Sequence, residues 1–201
     1  MPLGPGVIEV LETLVDMLPD GASVVELGSH EGYSARKIAD IILPKGGTLF
    51  CVDPYQGECP DYEGKRRTSS LNTFVDAFTP NERVILVNGF SFDVAPYLIN
   101  ESFDMVFIDA DHRYSHVKRD LRDWWPKLKR GGIMCGDDFE GPDWDESKIE
   151  LDMVIGEPGG HAHHGLAKAV VERFGDKLNA EARCWFVGKD LNWESVSRRI
   201  C

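Results

Sequence analysis

Four stretches of the 201-residue chain carry side chains that could do chemistry: Glu26-Leu27-Gly28-Ser29-His30-Glu31-Gly32-Tyr33-Ser34, Asp53, Asp109-Ala110-Asp111-His112 and Asp137-Asp138. Gly28 and Gly32 would let the backbone approach a ligand closely and open a helix. They do not complete the dinucleotide fingerprint G-x-G-x-x-G, because His30 stands at its middle glycine position. A pyrophosphate crossing that turn would meet a side chain, which disfavours a nicotinamide cofactor. Asp53 follows Gly32 by 21 residues. An ionised carboxylate there only accepts hydrogen bonds and can take two from ribose hydroxyls. A ribose without a pyrophosphate points to S-adenosylmethionine (SAM). Taken singly, the glycines are ordinary turn residues and Asp53 a solvated loop acid; their order along the chain carries the reading.

The second chemistry is acidic. If the strands ending at Asp109 and Asp137-Asp138 are neighbours, three carboxylates meet at one edge. They cannot all be ionised there without a cation. Oxygen donors select a hard ion such as Mg²⁺, with Mn²⁺ or Ca²⁺ as substitutes. An ion beside a substrate hydroxyl would lower its pKa and hold its oxygen. Methyl transfer from a sulfonium needs such an oxygen in line with the S–CH₃ bond, so orientation is the main catalytic contribution. His112, three residues past Asp109, could take the hydroxyl proton. The plainer alternatives are Asp111 as the N-cap of the next helix, His112 as a structural cap, and Asp137-Asp138 as a solvated strand end.

These residues need strands to carry them. Short apolar runs alternate with amphipathic stretches, the pattern of a parallel α/β sheet. Val7 to Leu18 has helical spacing, and Pro19-Asp20-Gly21 stops it. Strands are expected at Ser23–Leu27, Thr48–Asp53, Val84–Val87, Phe103–Asp109, Gly132–Gly136 and Cys184–Val187. Helices are expected at Tyr33–Leu43, Ser70–Phe78, Ser91–Ile99, Val117–Leu128 and Leu166–Phe174, with a polar loop at Pro54–Arg67. The pair Trp124-Trp125 goes to the core. Right-handed crossovers bring the strand C-terminal ends to one edge, where such sheets bind ligands.

The run Glu26-x-Gly28-x-x-x-Gly32-Tyr33-Ser34-Ala35 resembles motif I of class I SAM-dependent methyltransferases. It is especially similar to the metal-dependent catechol O-methyltransferase group and the macrolide-sugar O-methyltransferase group, over about Ser23 to Gly188. The resemblance implies a Rossmann-like, doubly wound seven-stranded sheet, mostly parallel with a reversed last strand and helices on both faces. It implies that Glu26, Gly28 and Ser34 contact the methionine moiety, Asp53 the ribose, and Gly89, Phe90 and Ser91 the adenine edge. Ser29, His30, Gly32, Tyr33 and Asp109 fall in the same cofactor-binding set. Asp109, Asp137 and Asp138 match the metal ligands of the group, and Asp109-x-x-His112 the Asp-x-x-His of the sugar-modifying branch. The catechol branch has lysine where His112 stands, so a sugar- or polyol-like acceptor is expected over a catechol.

Phe139 to His164 interrupts the alternation with 26 irregular residues, holding seven acids against the single base Lys148. It is expected to overhang the acidic edge as a lid or substrate wall within a single domain spanning residues 1–201. His161, His163 and His164 could ligate zinc or a second metal, but a polar loop near substrate is the favoured reading. Trp144 could stack on a sugar or aromatic ring, or anchor the loop.

The formal net charge is -12, and the longest basic run is Lys65-Arg66-Arg67, which excludes a nucleic-acid partner. The apolar stretches are too short for a membrane span, and Met1–Gly6 is no signal peptide. Five scattered cysteines indicate neither a zinc ribbon nor a disulfide framework, so the cytoplasm is the expected compartment. Only 22 residues precede the first strand, which leaves room for a second subunit to finish the pocket in a homo-oligomer. Rival functions are a metal-free SAM methyltransferase with another acceptor such as an amine, and a non-catalytic SAM-binding protein.

Overall fold

The structure is a computed structural model that describes residues 3–55, 58–60, 66–68, 71–80, 82–155 and 161–191. The chain opens with the amphipathic helix α1 (Pro5–Asp16). Val7, Val10, Leu11, Leu14 and Val15 form its buried stripe. There follow β1 (Ser23–Leu27), α2 (Tyr33–Ile42), β2 (Thr48–Asp53), the short strands β3 (Glu58–Pro60) and β4 (Arg66–Thr68), α3 (Leu71–Asp76) and β5 (Val84–Asn88). Then come α4 (Ser91–Val94), β6 (Phe103–Ile108), α5 (Tyr114–Trp124), β7 (Leu128–Gly136), β8 (Val154–Ile155), β9 (His161–Ala162), α6 (His164–Phe174), β10 (Asn179–Glu181) and β11 (Cys184–Gly188).

Seven strands form one sheet in the order β10-β11-β7-β6-β1-β2-β5. The last five in that order are mutually parallel. β11 is inserted antiparallel between β7 and β10. This is the Rossmann-like α/β sheet with a reversed last strand that the sequence leads one to expect.

Alternate residues of the buried strands feed two apolar layers. Val24, Leu49, Met105 and Phe107 pack with Leu11, Leu14, Ile38 and Ile42 on one side. Val25, Leu27, Val106 and Ile108 pack with Val117, Leu121, Trp124, Leu166 and Val170 on the other. Trp124 is fully buried, while Trp125 lies against the Phe174 ring at 5.3 Å.

Several boundaries differ from the sequence expectation. The loop at 54–67 includes β3, which pairs antiparallel with β4. Pro96 falls in a 3₁₀ turn, Ala95–Tyr97, which ends α4 early. α5 begins at Tyr114, one turn before Val117, because the chain of the 139–164 segment meets its first turn. β7 starts four residues early at Leu128, and the polar edge strand β10 has no apolar run to announce it.

Candidate functional site

The parallel strands end together at Leu27, Asp53, Asn88, Ile108 and Gly136. Gly28 has φ 90°, and a Cβ on it would lie 2.1 Å from the Asp109 carbonyl oxygen. The turn after β1 therefore crosses the end of β6 in backbone contact, which only glycine permits. Gly32 caps α2 in the left-handed region at φ 85°.

Ser34, in the first turn of α2, donates from Oγ to Oε1 of Glu26. Glu26 is fully buried. Its carboxyl is pushed up to about 7 by burial, with Asp109 and Asp53 adding to the effect and nearby hydroxyls drawing it down. Glu26 Oε2 and Ser29 Oγ are buried without a hydrogen-bond partner among the described residues. Two such atoms beside a glycine turn fit the polar end of a bound ligand.

Asp53 is 8% exposed and accepts from the backbone N–H of His30 at 2.9 Å and of Tyr55 at 2.6 Å. Two of its four lone-pair directions remain, enough for a ribose diol. His30 thus contributes its backbone N–H, at φ 45°. Tyr33 is half exposed at the mouth of the turn. The Gly89 N–H donates to the Asp53 carbonyl at 3.1 Å, and Phe90 is half exposed and stacks on Phe92 at 5.3 Å. The Ser91 hydroxyl instead turns inward to Asp120 Oδ1 at 2.5 Å. Asp120 is buried on α5, which pushes its carboxyl up to about 6.

On the other side of the crossing, β6 and β7 are neighbours, as the acidic edge requires. His112 is 9% exposed, and its Nε2 has no hydrogen-bond partner among the described residues. That atom sits 3.6 Å from Asp109 Oδ1 and 3.7 Å from Asp138 Oδ2. Burial pulls the imidazole down, but Asp109, Asp152 and Asp138 outweigh it and hold it well above the ordinary histidine value. Burial, reinforced by Asp138, raises Asp109. Asp137 is pushed up to about 7 by burial, then by Asp138 and Asp109. Its Oδ1 accepts the Asp138 N–H at 2.6 Å. Asp138 takes φ 63°, a left-handed conformation that aspartate tolerates. These acids have the charge and burial that a cation would relieve.

Asp111 is not the N-cap. The helix starts after Arg113, and Asp111 instead accepts from the Arg113 N–H at 3.0 Å and pairs with its guanidinium.

The 139–164 segment is laced onto this edge. Asp152 Oδ1 accepts the His112 N–H at 2.8 Å and lies 3.5 Å from its Nδ1. Glu150 accepts from the Ser115 hydroxyl at 2.7 Å, and the Ile149 carbonyl from the Tyr114 N–H at 2.8 Å. His163 is 3% exposed; its Nδ1 is 2.9 Å from Glu140 Oε1 and its Nε2 3.5 Å from Asp138 Oδ2. Arg183 donates to both Asp138 and Glu140. The Nδ1 of His164 accepts the Asp145 N–H at 3.2 Å, and Trp144 donates to Glu146 at 2.9 Å, so both serve the loop. The side chain of His161 lies outside the described residues. The sequence reading named His112 and the three aspartates, which lie at the ends of the neighbouring strands β6 and β7. It counted Asp152 and Glu140 only as charge and missed Arg183, because nothing local marks a contact made across 40 residues or more of chain.

A family model described as "Methyltransferase domain" matches residues 25–139. Among curated proteins, the uncharacterized protein R132 of Acanthamoeba polyphaga mimivirus is 25% identical over 158 residues, covering 73% of this chain and 68% of that one. Among solved structures, the O-methyltransferase from Bacillus cereus in complex with SAH has a TM-score of 0.61 at 17% identity, covering 93% of this chain and 82% of that one. The MycE methyltransferase from the mycinamycin biosynthetic pathway, in complex with Mg and SAH, has a TM-score of 0.53 at 17% identity, covering 84% of this chain and 45% of that one. Among the described residues no helix is long and apolar enough to cross a membrane.

Proposed function

From a chain that belongs to the methyltransferase domain family, of the class I SAM-dependent kind, we propose a metal-assisted O-methyltransferase acting on a small hydroxylated molecule. One observation carries this reading. The Glu26–Ser29 turn and the Asp109–His112–Asp138 edge touch through the backbone at Gly28, so a cofactor methyl and an acceptor oxygen would meet there.

SAM, when bound, supplies a methyl group on a sulfonium. Glu26, with Ser29 and Ser34, would hold its ammonium end, Asp53 its ribose, and the surface at Gly89 and Phe90 its adenine. A divalent cation such as Mg²⁺ at Asp109, Asp137 and Asp138, when bound, supplies charge that lowers the pKa of a nearby hydroxyl. The acceptor oxygen would gain the methyl as the S–CH₃ bond breaks, and Nε2 of His112, once a bound cation offsets the aspartates that hold its imidazole protonated, would take the hydroxyl proton. Asp152 keeps that imidazole oriented through its backbone N–H and Nδ1. The 139–164 segment walls the edge and keeps water from it. Histidine at 112, where the catechol branch has lysine, supports a sugar- or polyol-like acceptor over a catechol. The buried free thiols Cys51, Cys135 and Cys184 suit a reducing cytoplasm.

The test is transfer of labelled methyl from SAM to a panel of sugars, polyols, catechols and amines, with SAM affinity followed by calorimetry. Asp109→Ala and EDTA should each abolish transfer to the hydroxyl acceptors while SAM binding remains measurable. Full activity after both treatments, or transfer to amines alone, would overturn the metal-assisted O-methylation.

A further inference from the structure

Three aspartates alone would make a hard, all-oxygen site, but this edge also offers nitrogen. His112, Asp138 and His163 each offer a ligand atom within 4.8 Å of the others, and the Nε2 atoms of both rings approach Asp138 Oδ2. The individual separations to Asp138 Oδ2 are 3.7 and 3.5 Å. They are close to the roughly 3.4 Å between ligands that sit about 2.1 Å from one tetrahedral ion. His112 Nε2 is buried, has no hydrogen-bond partner among the described residues, and faces Asp109 and Asp138.

The outer atoms carry the same sense. Each imidazole turns Nε2 to the centre and Nδ1 to a carboxylate: His112 to Asp152 at 3.5 Å, His163 to Glu140 at 2.9 Å. A carboxylate behind each ring is the arrangement that orients metal-bound histidines and fixes their tautomer. Arg183 engages Asp138 Oδ1, so that carboxylate turns its other oxygen inward.

We infer that His112, Asp138 and His163 form a transition-metal site, with Asp109 Oδ1 at its rim, that prefers an ion such as Mn²⁺, Fe²⁺, Co²⁺ or Zn²⁺ to Mg²⁺. Imidazole nitrogen suits these ions, and Mg²⁺ favours oxygen. The inference rests on the acceptor edge proposed above and revises its metal: His112 and His163 replace Asp137 in the ligand set, and Asp109 moves to the rim. His112 acts on the acceptor as a metal ligand and not as the base, since one lone pair cannot do both. It also gives His163 a purpose in place of the polar-loop reading.

Co²⁺ titrated into the metal-free full-length chain is the probe. Proton spectra of the Co²⁺ form should contain two shifted, exchangeable imidazole N–H signals, one for each coordinated ring. His163→Gln should remove one signal and weaken Co²⁺ by tenfold or more. His164→Gln should leave both. Should His163→Gln fail to fold, Glu140→Gln carries the same test, with Co²⁺ affinity expected to fall by about 10- to 100-fold. The absence of shifted imidazole signals, an unchanged affinity in both the His163 and Glu140 variants, or displacement of Co²⁺ by equimolar Mg²⁺ would overturn the site. SAM binding measured on the same samples separates that failure from failure of the methyltransferase reading: lost SAM binding with intact Co²⁺ signals would count against the function alone.

Discussion

Glu26 concentrates the conflict between folding and binding at this site. Burial raises its carboxyl to about 7, so the empty protein resists ionising it. The sign for stability follows from linkage. An acid raised in the folded state binds its proton more tightly there than in the unfolded chain. Its penalty therefore grows as pH rises from about 4.5 to about 7 and stays above that. Glu26→Gln should raise the melting temperature of the cofactor-free protein at pH 8 and not at pH 4. The same change should lower SAM affinity tenfold or more, because the cationic end of the ligand loses its charged partner. Wild-type affinity should climb as pH passes through 7. A variant that binds SAM as tightly as wild type would remove Glu26 from the cofactor site. Glu26, Asp53 and Asp109 were legible in the sequence because each ends or follows an apolar strand, which fixes where it must lie. His163 was not assigned, because its partners Asp138 and Glu140 lie more than 20 residues back and only the folded segment brings them together.

At the scale of elements, the notable piece is the 139–164 segment, which the sequence marked only as an interruption. Its attachments explain why α5 starts a turn early: the Ile149 carbonyl and the Glu150 carboxylate satisfy the Tyr114 N–H and the Ser115 hydroxyl that open the helix. Gly165, at the start of α6, is the point of closest approach. A Cβ there would lie 2.2 Å from the Ile149 carbonyl oxygen, 2.4 Å from the Tyr114 nitrogen and 2.6 Å from the His112 carbonyl oxygen. All three obstacles are backbone, so no side-chain shift relieves them. Gly165→Ala should cost about 3 kcal/mol or more in chemical denaturation and should loosen His112 from Asp152. A loss below about 0.5 kcal/mol would mean that the segment docks less firmly than this geometry requires. Buried strands such as β1 and β2 were legible to the residue from their apolar runs. The edge strand β10 and the hairpin β3–β4 were not, because polar edge strands take their pairing from a neighbour and not from a hydrophobic pattern.

Across the whole molecule the net charge of -12 is unevenly spread, and half of it falls within residues 139–164. Part of that field is spent locally. Glu140 and Asp152 face His163 and His112, and Glu146 pairs with Lys168 at 2.7 Å. Burial works against Asp152, yet His112 lowers it to about 2. Asp152 therefore stays ionised throughout the physiological range. An acid lowered in this way contributes stability above its unfolded value, and that contribution disappears as pH falls from about 4 toward 2. What remains is excess negative charge beside the proposed acceptor edge, which a bound divalent cation would offset only near its own position. Beyond about 8 Å, physiological salt screens such charge, so its effect on an approaching acceptor is an ionic-strength effect. Among acceptors of equal size, the KM of an anionic one should fall as salt is raised from 10 to about 150 mM, that of a cationic one should rise, and that of a neutral sugar should stay flat. Initial rates for a matched set of uronate, amino-sugar and neutral-sugar acceptors, taken at fixed free metal, would measure this. A salt response of the opposite order would mean that the acceptor enters from another face, away from the acidic segment.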